Sequence, residues 1–166
     1  TLLFTDLEAS TQLQRRLGSR YHDVAEAHGR LLDAAFAEHG GTVVDRQTEA
    51  FFVVFPRARD AVRAAAGAQR ALAEHDWPAG AEVKIRMGVH AGEPAVAGDR
   101  YLGLAVSRAA RVCAAAHGEQ VLLSSAACAL LDDDDQAAVR PLGSYRLKDF
   151  PAPEPIHYTA ASRDVL

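Results

Sequence analysis

A short apolar run, Thr1 to Phe4, leads to one acid, Asp6, in the stretch FTDLEAST, and small polar residues then open the helical text QLQRRLG. A carboxylate at the tip of a buried strand, beside backbone N–H groups that begin a helix, suits a metal–phosphate complex. The amides take phosphate oxygens while the acid holds the cation. A turn or capping role for Asp6 is the alternative. Ala9, Ser10 and Thr11 carry the amides, and Ser10 or Thr11 equally suits a helix N-cap. Ser107 and Arg111 lie four apart in helical text, which puts both on one helix face. The seven histidines show no HExxH spacing, and His90, at the end of a strand, is read as facing solvent or an interface. No GxSxG is present. Cys113 and Cys128 have no metal spacing and read as small buried apolar residues.

The elements that must position these groups follow from periodicity. Helical text runs from Ser19 to His39 and ends at Gly40-Gly41. Thr42 to Asp45 and Ala50 to Phe55 form a hairpin with Glu49 near its tip. Arg59 to Glu74 is an Ala-rich amphipathic helix. From Glu82 to His90 the pattern alternates, with Val83, Ile85, Met87 and Val89 on one side and Glu82, Lys84, Arg86 and His90 on the other. A loop from Gly92 to Gly103 precedes a helix from Ala105 to Ala116. A strand at Val121 to Ser124, a short helix at Ala126 to Leu131, a solvated acidic turn at Asp132 to Asp135, and closing strands near Val139 to Lys148 and Ile156 to Thr159 complete the order. The expected class is α+β, a ferredoxin-like, antiparallel-rich sheet with packed helices.

With 166 residues, 49% apolar and 24% charged, the chain suits one globular domain, expected over 1–166. It begins at Thr1, already in a strand-like run, and reads as a domain cut from a longer polypeptide. The net charge of −4 and the lack of an aromatic RNP pattern argue against a general nucleic-acid surface. No run approaches membrane-spanning length, and no signal peptide is seen. A reducing cytoplasm fits the two unpaired cysteines.

Five segments, in order, resemble class III nucleotidyl cyclase domains (adenylate and guanylate cyclases). They are the opening FTDLEAST, then GGTVVDRQTEAFFVVFP, EVKIRMGVHAGEP, DRYLGLAVSRAARVCAAAHGEQVLLS and LGSYRLKDFPAPEPIHY. The resemblance covers nearly the whole chain. It implies a head-to-tail homodimer with active sites at the interface. The implied reaction is attack of the 3′-oxygen of ATP or GTP on its own α-phosphate, with two Mg²⁺ or Mn²⁺ ions and release of pyrophosphate.

Carried residue by residue, the resemblance makes Asp6 the first metal acid, Leu7 a carbonyl ligand, and Ala9, Ser10 and Thr11 the phosphate loop. Glu49 stands where the family has a second metal Asp, after Thr48 in place of a glycine. Glutamate is one methylene longer, and Mg²⁺ tolerates misplacement poorly; an exposed turn glutamate is the alternative. Asp45 and Arg100 replace the base-reading lysine and acid of adenylate cyclases with reversed charge, and are expected to form an ion pair across the base pocket, with two unrelated surface charges as the alternative. Ser107 replaces the transition-state Asn, and Arg111 matches the transition-state Arg, with an interface salt bridge as the alternative for Arg111. Lys148 falls near the phosphate-binding lysine, with a solvated hairpin lysine as the alternative. Arg108 is expected to be a surface charge. Tyr101, Tyr145 and Tyr158 are expected to pack in the core or interface. Two readings follow: a cyclase of weak or lost activity, or a pseudo-cyclase that dimerises or senses nucleotide.

Overall fold

A computed structural model describes residues 1–159. The last seven residues of the expected 1–166 domain lie outside that range. The elements are β1 (Leu2–Leu7), α1 (Ser10–Leu17), a 3-10 turn (Gly18–Arg20), α2 (Tyr21–Glu38), β2 (Thr42–Arg46), β3 (Ala50–Val54), α3 (Ala58–Glu74) and β4 (Ile85–His90). They continue with β5 (Ala95–Ala97), β6 (Arg100–Leu102), α4 (Leu104–Ala114), β7 (Val121–Ser124), α5 (Ser125–Cys128), α6 (Asp133–Ala137), β8 (Val139–Tyr145) and β9 (Glu154–Thr159).

Seven strands form one sheet in the order β2-β3-β1-β4-β7-β9-β8. Among the described residues only the β4–β7 pair of this sheet is parallel; the others are antiparallel. The α+β, antiparallel-rich architecture expected from the pattern is the one observed. Alternation in β1 sends Leu3 and Leu7 into the main core with Phe36 of α2, Ala65 of α3, and Phe51, Val53, Met87 and Val89 of the neighbouring strands. Leu2 turns to the other face and packs with Phe52 and Ala109 of α4. The sheet therefore has α2 and α3 on one face and α4 on the other.

α4 lies against the sheet because β4 has no side chain in its way. A Cβ on Gly88 would come within 2.5 Å of the Cys113 Cα. Burial pushes the Cys113 thiol up to about 12, with the nearby Asp6 charge acting in the same direction. Both cysteines are free, and Cys113 is buried as a small apolar residue should be.

Several boundaries differ from the sequence reading. Glu82 to Lys84 precede β4 rather than joining it. Inside the expected loop after Gly92, β5 and β6 pair as a small separate hairpin. The acidic run is not merely a turn: Asp132 caps α6 by accepting from the Asp135 amide at 3.0 Å, and Asp135 holds Arg63 through two 3.0 Å bonds. Among the described residues no helix is long and apolar enough to cross a membrane.

Replacing Gly88 with alanine forces β4 and α4 apart. The expected loss is about 2–4 kcal/mol, read from the midpoint of urea unfolding. An unchanged midpoint would show that the close approach carries no weight.

Candidate active site

β1 delivers Asp6 to the α4 face of the sheet. Its direct cross-strand partners are Ala50 on β3 and Arg86 on β4. Opposed side chains on a shared face are within reach of each other, and Arg86 uses that position fully. Its Nε and Nη2 donate to Asp6 Oδ2 at 2.8 and 2.5 Å, while Nη1 reaches the Ala114 carbonyl at the end of α4 at 3.5 Å.

Glu49 leads the other way. The Leu7 amide donates to the Glu49 carbonyl at 2.9 Å, so the two acids are backbone neighbours. Ala50 is the residue that shares the face of Asp6, so Glu49 falls on the opposite side with Phe51. There its Oε1 accepts from the Tyr21 hydroxyl of α2 at 2.7 Å. Tyr21 is buried, and burial together with this bond raises its hydroxyl pKa. The Asp6 and Glu49 carboxylates thus do not converge on one point as a shared metal pair requires, and among the described residues no group of three or more His, Cys, Asp or Glu side chains could hold a metal ion. As arranged, with Asp6 held by Arg86 and Glu49 by Tyr21, the two carboxylates do not form a shared two-cation site.

The start of α1 keeps its amides available. Its N-cap is Ala9, left-handed at φ 54, with no capping side chain. Neither Ser10 nor Thr11 is the cap, because both already belong to the helix. The Gln12 and Leu13 amides donate to the Ala9 carbonyl at 2.9 and 3.0 Å, which leaves the Ser10 and Thr11 amides as first-turn donors without an acceptor in the helix; Ala9, Ser10 and Thr11 lie two to four residues past Leu7, the end of β1.

On α4, Ser107 is exposed and Arg111 is partly exposed one turn later. Arg111 Nη2 donates to Asp149 Oδ2 at 2.6 Å, a carboxylate in the β8–β9 connection. Lys148 stands beside it, exposed, outside β8. Arg108 is not a free surface charge. It pairs with Glu154, which is buried, and its guanidinium lies 4.4 Å over the Phe150 ring.

The expected pair across the base pocket is absent: among the described residues Asp45 and Arg100 form no ion pair. The Asp45 carboxylate accepts from Gln47 Nε2 at 3.4 Å, and Arg100 sits exposed at the start of β6. The cation beside Asp45 in sequence is Arg46. It pairs with Asp33 of α2 at 2.5 Å and lies 5.2 Å over the Phe51 ring. Gly29 makes room for it, since a Cβ there would collide with the guanidinium. Arg46 and Glu49 together fasten the β2–β3 hairpin to α2.

Two histidines expected to be unremarkable are buried. His90 is not at solvent; its Nδ1 lies 2.7 Å from the Ser124 hydroxyl, and burial, then the Arg108 charge, lowers its pKa. His28 is 1% exposed, edge-on to Phe51, and neither ring nitrogen has a hydrogen-bond partner. Burial, then Arg46, pushes it down to about 4 against the partial opposition of Glu49.

Sequence reasoning passed over Arg86, Tyr21, Arg46, Asp149 and the Arg108–Glu154 pair as members of this site. Only Arg86 carried a signal, as a charged residue on the polar side of an alternating strand.

No protein-family model matches the chain. An uncharacterized protein of Mycobacterium tuberculosis is 33% identical over 161 residues, covering 93% of this chain and 53% of the relative. An adenylate cyclase of Podospora anserina is 30% identical over 148 residues, covering 74% of this chain and 7% of the relative. The chain thus spans about half of one relative and a small part of the other. Among solved structures, a Trypanosoma brucei adenylate cyclase in its monomeric state superposes with a TM-score of 0.90 at 22% identity, covering 98% of this chain and 90% of that one. The guanylate cyclase domain of RhGC from Catenaria anguillulae, in complex with GTP, gives 0.81 at 18% identity, covering 98% and 96%. Fold and sequence together make the chain a class III cyclase-like domain.

His28 sets a pH dependence. Its folded pKa of about 4 lies below the ordinary 6.5, so the unfolded chain takes up the proton first as pH falls. Stability is therefore complete above pH 6.5 and declines toward pH 4, by on the order of 3 kcal/mol. Urea midpoints across that range should fall less steeply in His28→Leu than in the unaltered protein. Equal slopes would mean that the imidazole is not held neutral.

Proposed function

We propose that this domain is a class III cyclase-like signalling module that binds a nucleoside triphosphate, ATP or GTP, with weak or lost conversion to the 3′,5′-cyclic product. The observation that carries this reading is the divergence of Asp6 and Glu49 to opposite faces, each held by a partner within the chain. Phosphate binding rests on the amides of Ala9, Ser10 and Thr11 at the start of α1, and on Lys148 and Arg111. The replaced base contacts at Asp45 and Arg100 and the shorter Ser107 fit reduced turnover as well. Losses at such coupled positions need not add simply.

The module works as a head-to-tail homodimer, with the whole of 1–166 as its domain. Exposed apolar side chains at Val96 (62%) and Leu104 (76%) on the β5–β6 hairpin and the start of α4 suit contact with a second copy. In a relative that retained two-cation chemistry, Mg²⁺ or Mn²⁺ would act at the first two acids; here Asp6, Leu7 and Glu49 would have to rearrange to hold them.

Purified protein given ATP, and separately GTP, with Mn²⁺ should form cyclic product at least about a hundredfold below the ~10 s⁻¹ typical of enzymes. Calorimetry should still detect binding of the triphosphate. Turnover near the typical rate that disappears in Asp6→Ala would overturn the assignment of weak activity.

A further inference from the structure

In the β8–β9 connection, two exposed residues sit between two buried ones. Leu147 and Phe150 pack with Val112, Leu122 and Ile156. The Phe150 amide donates to the Leu147 carbonyl at 3.2 Å, closing a four-residue turn with Lys148 and Asp149 at its corner. Asp149 is the third residue of that turn and has φ 69. Turns of this kind favour glycine or asparagine there. Aspartate tolerates the left-handed region, but at a backbone cost that glycine does not incur.

α4 sends two arginines to this turn. Arg108 fixes its root through Glu154, the first residue of β9, and through the Phe150 ring. Arg111 meets its corner at the Asp149 carboxylate, 2.6 Å away. The first contact is half-buried and the second exposed, with the Arg111 and Asp149 side chains 36% and 60% accessible. A firmly held turn thus presents a carboxylate to an arginine by way of a weak, replaceable pair.

We propose that Asp149 is a built-in anionic competitor that occupies Arg111 until a polyphosphate displaces it, with Arg108 as the positioning residue that keeps the turn against α4. This rests on the triphosphate-binding reading above and adds the control of that site. A polyphosphate oxygen would need the guanidinium donor that Asp149 now uses, and would meet the repulsion of its charge. Because the pair is exposed, Asp149 weakens binding rather than forbidding it.

Asn and Gly both suit φ 69, so Asp149→Asn and Asp149→Gly remove the charge without straining the turn; thermal melts verify the fold. Inorganic tripolyphosphate, ATP and GTP are titrated by calorimetry into the unaltered protein, both variants and Asp149→Asn/Arg111→Ala, at low salt. Both single variants should bind about three- to tenfold tighter. The gain should vanish in the double variant and shrink as salt rises. Unchanged or weaker binding in both single variants, or no binding of any probe to any variant, would overturn competition at Arg111. Tighter tripolyphosphate binding with no affinity for either nucleotide would uphold it while removing the nucleoside triphosphate reading. Nucleotide binding that ignores Asp149 would do the reverse.

Discussion

The pleat of β1 governs the candidate site. Successive side chains of a strand leave opposite faces, so a shift of one residue moves a group across the whole sheet. The register Asp6↔Ala50 and Asp6↔Arg86 leaves Asp6 with a methyl group on one flank and a guanidinium on the other. Glu49, one position earlier on β3's side, is committed to the face of Phe51 and α2. Bringing its carboxylate around to Asp6 would require rebuilding the turn at 47–49 and giving up the Tyr21 bond. A bond to a charged acceptor contributes about 1.5–3 kcal/mol, so the present arrangement is a held state and not an idle rotamer.

The same division organises the charges. On the α4 face Arg86 neutralises Asp6, Arg111 meets Asp149, and Arg108 meets Glu154. On the α2 face Arg46 meets Asp33 and Tyr21 meets Glu49. Neutral His28 lies within this second group, where a proton would add charge beside Arg46 on a buried ring whose nitrogens have no hydrogen-bond partner. Each charge named here thus has a partner from a different element, and these pairs tie the hairpin to α2 and the β8–β9 turn to α4.

Much of the fold was legible because it rests on periodicity. The alternation of Ile85, Met87 and Val89 marked β4, the helical text from Ser19 to His39 marked α2, and glycines at 40 and 41 marked its end. The β5–β6 hairpin was not legible, since its two three-residue strands, Ala95–Ala97 and Arg100–Leu102, are too short to carry a period. Candidate positions such as Asp6, Glu49 and Arg111 were visible by residue type and order. Their partners were not: Arg86 lies 80 residues from Asp6 and Asp149 38 from Arg111, and no local pattern reports pairings over such distances. The face taken by Glu49 was hidden for another reason. A turn's exit direction depends on backbone torsions at Gln47 and Thr48, which composition constrains only loosely. Arg108 was misjudged because its partner, Glu154, is a buried acid at the start of a strand, where sequence statistics place few acids.

Two carboxylates held close without a cation repel each other, and one of them must take up a proton or move away. A site that keeps them converged is therefore costly to fold until metal arrives, and active sites commonly trade stability for function in this way. The present chain carries no such cost. Asp6 has a permanent positive neighbour in Arg86, and Glu49 has a neutral hydroxyl donor in a packed setting. The arginine at 111 has its own acid within the chain. The charges of the site are thus met within the chain before any ligand arrives. A ligand for Arg111 has to replace the Asp149 carboxylate, which favours a polyanionic phosphate chain over a bare divalent ion.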